Sequence, residues 1–182
     1  MAKIELKGFD VYIRQLQALY ASADKMCKAV VFEGAAILAN GIRQELVSDV
    51  EAISDHAAMA SFNAGIKHRI SESQKQGLID SLGISVIGKD RRGRTQCSVG
   101  FAGYNSVQTD TWPNGQPNAM IARSLNKGTS YMYRDAFVDR AIRAHKEEII
   151  AAMQGAADAY IEKKMKENGG VRSFDSAALR SG

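Results

Sequence analysis

The chain has 182 residues, about one domain, and its 24 Lys and Arg against 20 Asp and Glu leave a formal net charge of +4. With 45% hydrophobic and 24% charged residues, it has the composition of a globular protein, which excludes a wholly disordered, collagen-like or membrane-embedded chain. Charged and apolar residues alternate from Lys3 to Lys7, so we expect no secretory signal peptide. We expect no membrane span either, because no segment is apolar over enough residues.

The N-terminal part of the chain predicts one short strand and two helices. The alternation over residues 3–7 is typical of a strand with one apolar face. Apolar residues at three- and four-residue spacing then predict a helix over residues 11–21. Ser22 and Asp24 are residues that start helices, so we predict that a second, longer helix begins there and continues to about Leu46.

The middle of the chain changes from a loose pattern to an alternating one. Residues 47–72 are rich in Ala, Ser, Asp, His and Asn, and indicate a weak helix or a surface excursion, which we interpret as an insertion. Residues 73–82 predict a short helix. Two alternating or β-branched runs, 83–87 and 95–101, flank an Asp-Arg-Arg-Gly-Arg turn at 90–94, and this arrangement predicts a β-hairpin.

The C-terminal part predicts a loop and two helices. Residues 102–118 contain both prolines and the single tryptophan, and indicate a long loop. A short helix is predicted over 119–126, stopped by Gly128. We predict that Asp135 opens the longest helix, which runs to Asn168 with one apolar side and with charges that cancel.

These elements predict an α+β fold. A small antiparallel sheet with a β-hairpin is expected to pack against two N-terminal helices and one long C-terminal helix, in a single domain over residues 1–168. Residues 169–182 form a flexible C-terminal tail of small residues that is too short to fold alone. Its apolar residues Val171, Phe174 and Leu179 are candidate anchors on a neighbouring subunit, so we expect the tail to be ordered only in an assembly.

The cysteines and histidines indicate neither a metal site nor a disulfide. Cys27 and Cys97 lie in unlike contexts, and we interpret both as small buried hydrophobes of a protein in a reducing compartment. His56, His68 and His145 have no partner at the spacing of a metal-binding motif. We therefore expect no cofactor.

Two patterns resemble sites of chemistry. Residues 83–89 match the glycines and lysine of a phosphate-binding loop, but Asp90 stands where that motif needs Ser or Thr, and the residues between the glycines favour a strand. Asp55 and His56 would be the dyad of a small hydrolase. No nucleophile motif accompanies them, so solvated loop side chains are the other interpretation, and we expect no enzyme.

The basic turn is the most prominent candidate site. Lys89, Arg91, Arg92 and Arg94, with Asp90, contribute +3 to the net charge. Such a loop can contact the phosphate backbone of DNA or a neighbouring protein ring. It can equally be a solvated hairpin whose charges prevent edge-to-edge sheet pairing. Both interpretations stay open at this point.

Three short motifs, in their order along the chain, resemble a known family. They are Ile-Glu-Leu-Lys-Gly-Phe-Asp at 4–10 before a helix, Gly-Leu-Ile-Asp-Ser-Leu at 77–82 before a strand, and the run 119–130 that leads through 136–141 into the last helix. The order is similar to that of the neck and tail-completion (head-tail joining) family of tailed phages, typified by the tenth gene product of a lambdoid coliphage.

The resemblance implies a structural virion protein rather than an enzyme. Such a protein is assembled in the host cytoplasm and forms a ring, expected to be a hexamer, at the head-tail interface as a neck, tail-completion or tail-terminator protein. Other neck and tail proteins would be its partners, and genomic DNA would pass through its lumen. The alternative function is a sequence-independent DNA-binding accessory protein that uses the basic hairpin.

Overall fold

The computed structural model describes residues 9–167. Its helices are α1 (Phe9–Ser48), α2 (Asp55–Asn63), α3 (Glu72–Ser81), α4 (Asn118–Lys127) and α5 (Phe137–Glu167). Its strands are β1 (Ala52–Ile53), β2 (Ile70–Ser71), β3 (Leu82–Ile84), β4 (Gly88–Lys89), β5 (Thr95–Gln96) and β6 (Val99–Phe101). The predicted strand at 3–7 and the tail with Val171, Phe174 and Leu179 lie outside the described residues.

The predicted α+β fold is confirmed, with small strand pairs beside the helices. β3 pairs antiparallel with β6, so that Leu82 lies opposite Phe101. β4 pairs antiparallel with β5, so that Lys89 lies opposite Thr95, and the two pairs together form the predicted hairpin. β1 and β2 form a separate parallel pair, which the sequence did not predict.

The prediction of two N-terminal helices is wrong, because α1 is one helix of 40 residues. The Ser22 hydroxyl donates back to the carbonyls of Ala18 and Leu19, at 2.9 and 3.1 Å, so it is satisfied inside a continuous helix and does not cap a new one. Asp24 pairs with Lys28 one turn later, at 2.8 Å. The prediction that the C-terminal helix is the longest is also wrong, since α5 has 31 residues.

α1 and α5 pack as a close antiparallel pair. Gly34 faces Met153, and a Cβ at this glycine would lie 2.8 Å from the Met153 sulfur. Seven residues later Gly41 faces His145, where a Cβ would lie 2.5 Å from the imidazole Cδ2. The two glycines therefore allow the helices to approach where any larger residue would push them apart.

The hydrophobic core lies at the C-terminal end of α1. Ile42, Leu46 and Val50 follow one another at four-residue spacing and are all buried. Side chains from α3, α4 and the start of α5 complete the core, among them Leu78, Ile121, Leu125 and Phe137. The N-terminal two-thirds of α1 thus extends away from the core.

Residues 47–72 contribute to the core mainly at their two ends, and most of the residues between these ends are exposed or half-buried. Val50 and Ile70 are 2% and 0% exposed. The short pairing of β1 with β2 brings the two ends of the segment together, and α2 between them confirms the alternative of a weak helix. The interpretation of this segment as an insertion stays a prediction.

Buried asparagines hold the long loop against α3 and α4. The Asn105 side-chain amide donates to the Ser73 carbonyl at 3.2 Å, and that of Asn118 donates to the Ala102 carbonyl at 2.9 Å. α4 ends as predicted at Gly128, which has φ 75° and whose N–H donates to the Ser124 carbonyl. The loop is therefore fixed at both ends by buried hydrogen bonds.

Candidate functional site

The hairpin that carries the basic residues lies along α1 and points away from the core. Near its base, the Arg43 guanidinium donates to the Leu82 carbonyl at 3.5 Å. At its tip, Lys89 Nζ lies 3.1 Å from the carboxylate of Asp24. Arg43 and Asp24 are about 28 Å apart along a helix with a rise of 1.5 Å per residue. The tip is consequently remote from the core.

Asp90 builds the turn at the hairpin tip. Its carboxylate accepts the backbone N–H groups of Arg92 and Arg94, at 2.8 and 2.9 Å. It also pairs with the Arg94 guanidinium, at 2.8 Å. The Arg94 backbone N–H and guanidinium, followed by the Arg92 N–H, hold the pKa of Asp90 below its ordinary value of 3.8. Gly93 completes the turn with φ 75°.

Lys89 belongs to an ion-pair network with α1 that the sequence did not reveal. Asp24 lies between Lys28, at 2.8 Å, and Lys89, at 3.1 Å. Hydrogen bonds from Lys28 and then Lys89 hold the pKa of Asp24 below 3.8. No local pattern signals this contact, because Asp24 and Lys89 meet only when the hairpin folds onto α1.

Two of the four predicted basic residues are thus committed to ion pairs. Lys89 pairs with Asp24, and Arg94 pairs with Asp90. Arg91 and Arg92 are exposed, and their side chains have no ion-pair partner among the described residues. Five basic and two acidic side chains, those named here together with Lys28, have a net charge of +3 among themselves. The guanidinium groups available for a ligand are therefore those of Arg91 and Arg92.

The segment that resembles a phosphate-binding loop forms strands, as the sequence predicted. Gly83 lies in β3, and Gly88 and Lys89 form β4. A hairpin turn follows Lys89 where a phosphate-binding loop would lead into a helix. The backbone N–H groups of Ser85 and Asp90 donate to carbonyls of the opposite strand, at 2.8 and 2.9 Å. Those donors are consequently not turned toward a common phosphate position.

The Asp55 carboxylate is engaged by the start of α3. It accepts the Ser73 backbone N–H at 3.1 Å and also the Ser73 hydroxyl. Hydrogen bonds from Ser71 and Ser73 hold the pKa of Asp55 below 3.8. A carboxylate at a helix N-terminus is stabilising. His56 is exposed and makes no hydrogen bond within the described residues, so the structure gives this pair no arrangement of base and nucleophile.

The remaining histidines and the cysteines form no cluster with one another within the described residues. His68 bonds its neighbour's carbonyl, and His145 Nδ1 bonds Glu148 at 2.8 Å. Cys27 and Cys97 are free thiols and partly buried. Within residues 9–167, no three His, Cys, Asp or Glu side chains are grouped so that they could hold a metal ion. The described helices include none with the length and apolar character of a membrane span.

A second candidate surface lies at the core end of the molecule. Phe62 of α2 stacks at a tilt on Tyr131, with ring centroids 5.6 Å apart, and both rings are about half exposed. Lys67 Nζ lies 5.2 Å from the centre of the Tyr133 ring. With Met59 and Ile66, these side chains form what we call the aromatic patch: Met59, Phe62, Ile66, Tyr131 and Tyr133, with Lys67 at its margin.

Backbone pairing assembles the aromatic patch from two distant segments. The His68 N–H donates to the Tyr131 carbonyl at 2.9 Å, and the Tyr133 N–H donates to the His68 carbonyl at 3.0 Å. The sequence did not predict the patch, because neither residues 59–67 nor residues 131–133 have a pattern that indicates a surface cluster. The two tyrosines on either side of Met132 were the feature of the sequence that could have indicated an exposed aromatic cluster.

A groove of about 690 Å³ next to the aromatic patch is open and charged. Its acidic and basic side chains neutralise one another: Arg69 pairs with Glu51 at 2.7 Å, and Asp135 pairs with Arg140 at 2.7 Å. Arg140 also bonds Glu45, at 2.7 Å. These pairs link α1, the start of α5 and the segment before β2, which indicates a structural role for the charges.

Comparisons of the chain with models of known protein families, with curated proteins and with solved structures found no match.

Proposed function

We propose that the chain is a structural virion protein of a tailed bacteriophage that assembles into a ring, a hexamer, at the head-tail interface. Its partners in this proposal are copies of itself and other neck and tail proteins, and it carries out no reaction. The order of the short motifs along the chain supports the proposal, together with the α+β fold of the described residues.

The observation that carries the proposal is the aromatic patch. Its five large apolar or aromatic side chains are exposed, and two of its three aromatic rings, those of Phe62 and Tyr131, pack against each other. Clustered exposed apolar groups of this kind mark protein-protein contacts. Tyrosine and phenylalanine are also enriched in the buried centres of interfaces. A subunit that repeats one contact around a closed ring needs such a surface on every copy.

The hairpin tip gives the ring proposal a second surface. Arg91 and Arg92 stand free at the hairpin tip, remote from the core, and both are exposed. In a ring on the DNA path they would contact phosphates without reading sequence. The same two guanidinium groups are the observation that favours the alternative function, a DNA-binding accessory protein.

Native mass spectrometry of the full chain tests the proposed function. A closed ring predicts one discrete species at six subunit masses, whose abundance rises with protein concentration at the expense of the monomer. A monomer or dimer at all concentrations would contradict the ring. If that monomer or dimer retards duplex DNA of arbitrary sequence, the accessory-protein function replaces it.

A further inference from the structure

The face of α1 that packs against α5 continues beyond the end of α5. Gly34 marks the centre of that face, since it lies against Met153. Residues 18 apart on a helix are separated by five full turns and share one side. Leu16 stands 18 residues before Gly34, and Tyr20 stands 14 before it. Leu16 and Tyr20 therefore continue the packing face toward the N-terminus of α1.

α5 ends where this continuation begins. The two helices are antiparallel, so each step back from Gly34 along α1 corresponds to one step forward from Met153 along α5. Counting fourteen steps places Glu167, the last described residue of α5, opposite Tyr20. The part of α1 before Tyr20 has no helix opposite it within the described residues.

The apolar side chains on this part of α1 are exposed. Tyr20 is 87%, Leu16 47% and Ile13 37% exposed. We call these three residues the α1 stripe. They continue an interface that is close-packed further along the same helix, so their exposure indicates that a covering element is missing from the described residues.

The residues that follow Glu167 in the sequence are within reach of the stripe. Glu167 lies opposite Tyr20, and Gly169 and Gly170 come soon after it in the sequence. Glycine gives a chain the conformational freedom to turn. The sequence after these glycines contains three large apolar residues: Val171, Phe174 and Leu179. Three linking residues reach about 10 Å. The length of chain after Glu167 is therefore sufficient for Phe174 to reach Leu16.

We infer that the C-terminal tail packs on the α1 stripe of its own chain, with Phe174 and Val171 against Leu16, Ile13 and Tyr20. A tethered segment acts at a high effective concentration, so the nearest stripe is favoured over that of a neighbouring subunit. The sequence alone suggested that the tail binds a neighbouring subunit. Here we infer instead that it binds its own chain. This inference does not depend on the proposed ring.

Disulfide trapping in the full chain tests the inference. Leu16→Cys is combined with Phe174→Cys in a background of Cys27→Ala and Cys97→Ser, and the dilute protein is oxidised. The expected product is a disulfide-bonded monomer that migrates faster on a non-reducing gel. The matched control pairs Phe174→Cys with Phe32→Cys, an exposed residue on a different side of α1, and should form much less of this product.

Disulfide-linked dimers as the main product would overturn the inference and place the tail on another copy. Equal trapping of the test and control pairs would also overturn it. A second measurement keeps both native cysteines: Leu16→Ser, Phe174→Ser and the double variant are compared by thermal unfolding. The inference predicts that the double variant loses little more Tm than either single variant, whereas Phe32→Ser adds fully to Phe174→Ser. Additive losses for Leu16 and Phe174 would contradict the contact.

Discussion

At the scale of the residue, Asp90 shows how one carboxylate can determine a turn. It accepts two backbone N–H groups and pairs with Arg94, and its pKa lies below 3.8. A lowered pKa in the folded state means that the carboxylate stabilises the turn above pH 3.8, and that this contribution is lost as the pH falls through the folded pKa.

We predict that Asp90→Asn removes the acid dependence of the turn. Hydrogen exchange of the Arg92 and Arg94 amides should accelerate, relative to the intrinsic rate, as the pH is lowered through the folded pKa in the natural chain. In the variant the side-chain oxygen still accepts these amides but does not titrate. The protection of the two amides should then be independent of pH below 5. The same acid-induced loss of protection in both proteins would contradict the role of Asp90.

Gly77 is a residue of α3 at which a methyl group should be poorly tolerated. A Cβ there would collide with the side-chain amide of Asn105, which bonds the Ser73 carbonyl. Overpacking of a buried site costs about 1–3 kcal/mol, so we predict that Gly77→Ala lowers the free energy of unfolding by that order.

The matched control for Gly77 is Gly155, which also lies inside a helix but has open space where its Cβ would stand. Gly155→Ala should raise the free energy of unfolding by about 0.5–1 kcal/mol, the helix preference of alanine. Urea unfolding measures both variants. If both substitutions stabilise the protein, the prediction for Gly77 is wrong, and the Asn105 side chain must move to make room for the methyl group.

At the scale of the element, the continuity of α1 makes Ser22 dispensable. Its hydroxyl only bonds carbonyls of the preceding turn. Ser22→Ala should therefore leave the midpoint of thermal unfolding unchanged or raise it slightly. Loss of a true N-cap would instead cost about 1 kcal/mol. A decrease of that size would indicate that a helix begins at this residue after all.

The exposed Arg91 and Arg92 at the hairpin tip lead to a prediction about the binding of DNA. Arg91→Ser with Arg92→Ser should weaken binding of the protein to duplex DNA of any sequence and flatten its salt dependence, because fewer counterions are released. Lys146→Ser with Lys163→Ser removes the same charge from exposed positions on α5 and is the control. Filter binding at several salt concentrations measures both.

If the chain is the virion protein proposed above, phage particles that carry the variants distinguish the two partners proposed for the hairpin. In joined particles, loss of DNA retention by the arginine double variant would place Arg91 and Arg92 in the lumen. Heads and tails that fail to join would place them against a neighbouring ring. Behaviour equal to that of the lysine control in every assay would leave the tip as a solvated turn with charges that protect the sheet edge.

At the scale of the whole molecule, the aromatic patch and the hairpin tip are far apart along α1. The patch lies near the core at the C-terminal end of this helix, and the tip lies beside Asp24, near the middle of the helix. In the proposed ring, one surface can thus contact a subunit while the other contacts DNA or a further ring.

We predict that Phe62→Ser with Tyr131→Ser dissociates the proposed ring and leaves the subunit folded. Both rings are about half exposed and face each other outside the core, so their loss should remove contact area between subunits. Tyr104→Ser removes a tyrosine at least as exposed, from the long loop, and should leave the assembly unchanged. Sedimentation velocity measures the change in size, and circular dichroism checks the fold. Assemblies of unaltered size in the patch variant would exclude this surface as the contact.

The sequence by itself determined the features that depend on neighbouring residues. Asp90 and Gly93 fix the hairpin turn, and Gly128 ends α4, because hydrogen bonds and φ angles within a few residues decide each of them. The apolar periodicity likewise predicted α5, except that this helix begins at Phe137, two residues after Asp135. The overall α+β class followed from these local elements.

Only the tertiary structure decided which charged and aromatic groups are free to act. From the sequence, Lys89 and Arg91 were equally good candidates for contact with a ligand. The packing of the hairpin on α1 pairs Lys89 with Asp24 and leaves Arg91 exposed. The aromatic patch likewise exists because backbone pairing brings Tyr131 beside Phe62. Such contacts join residues far apart in the chain, and no local pattern encodes them. Their energies come from packing and ion pairing that the folded chain alone creates.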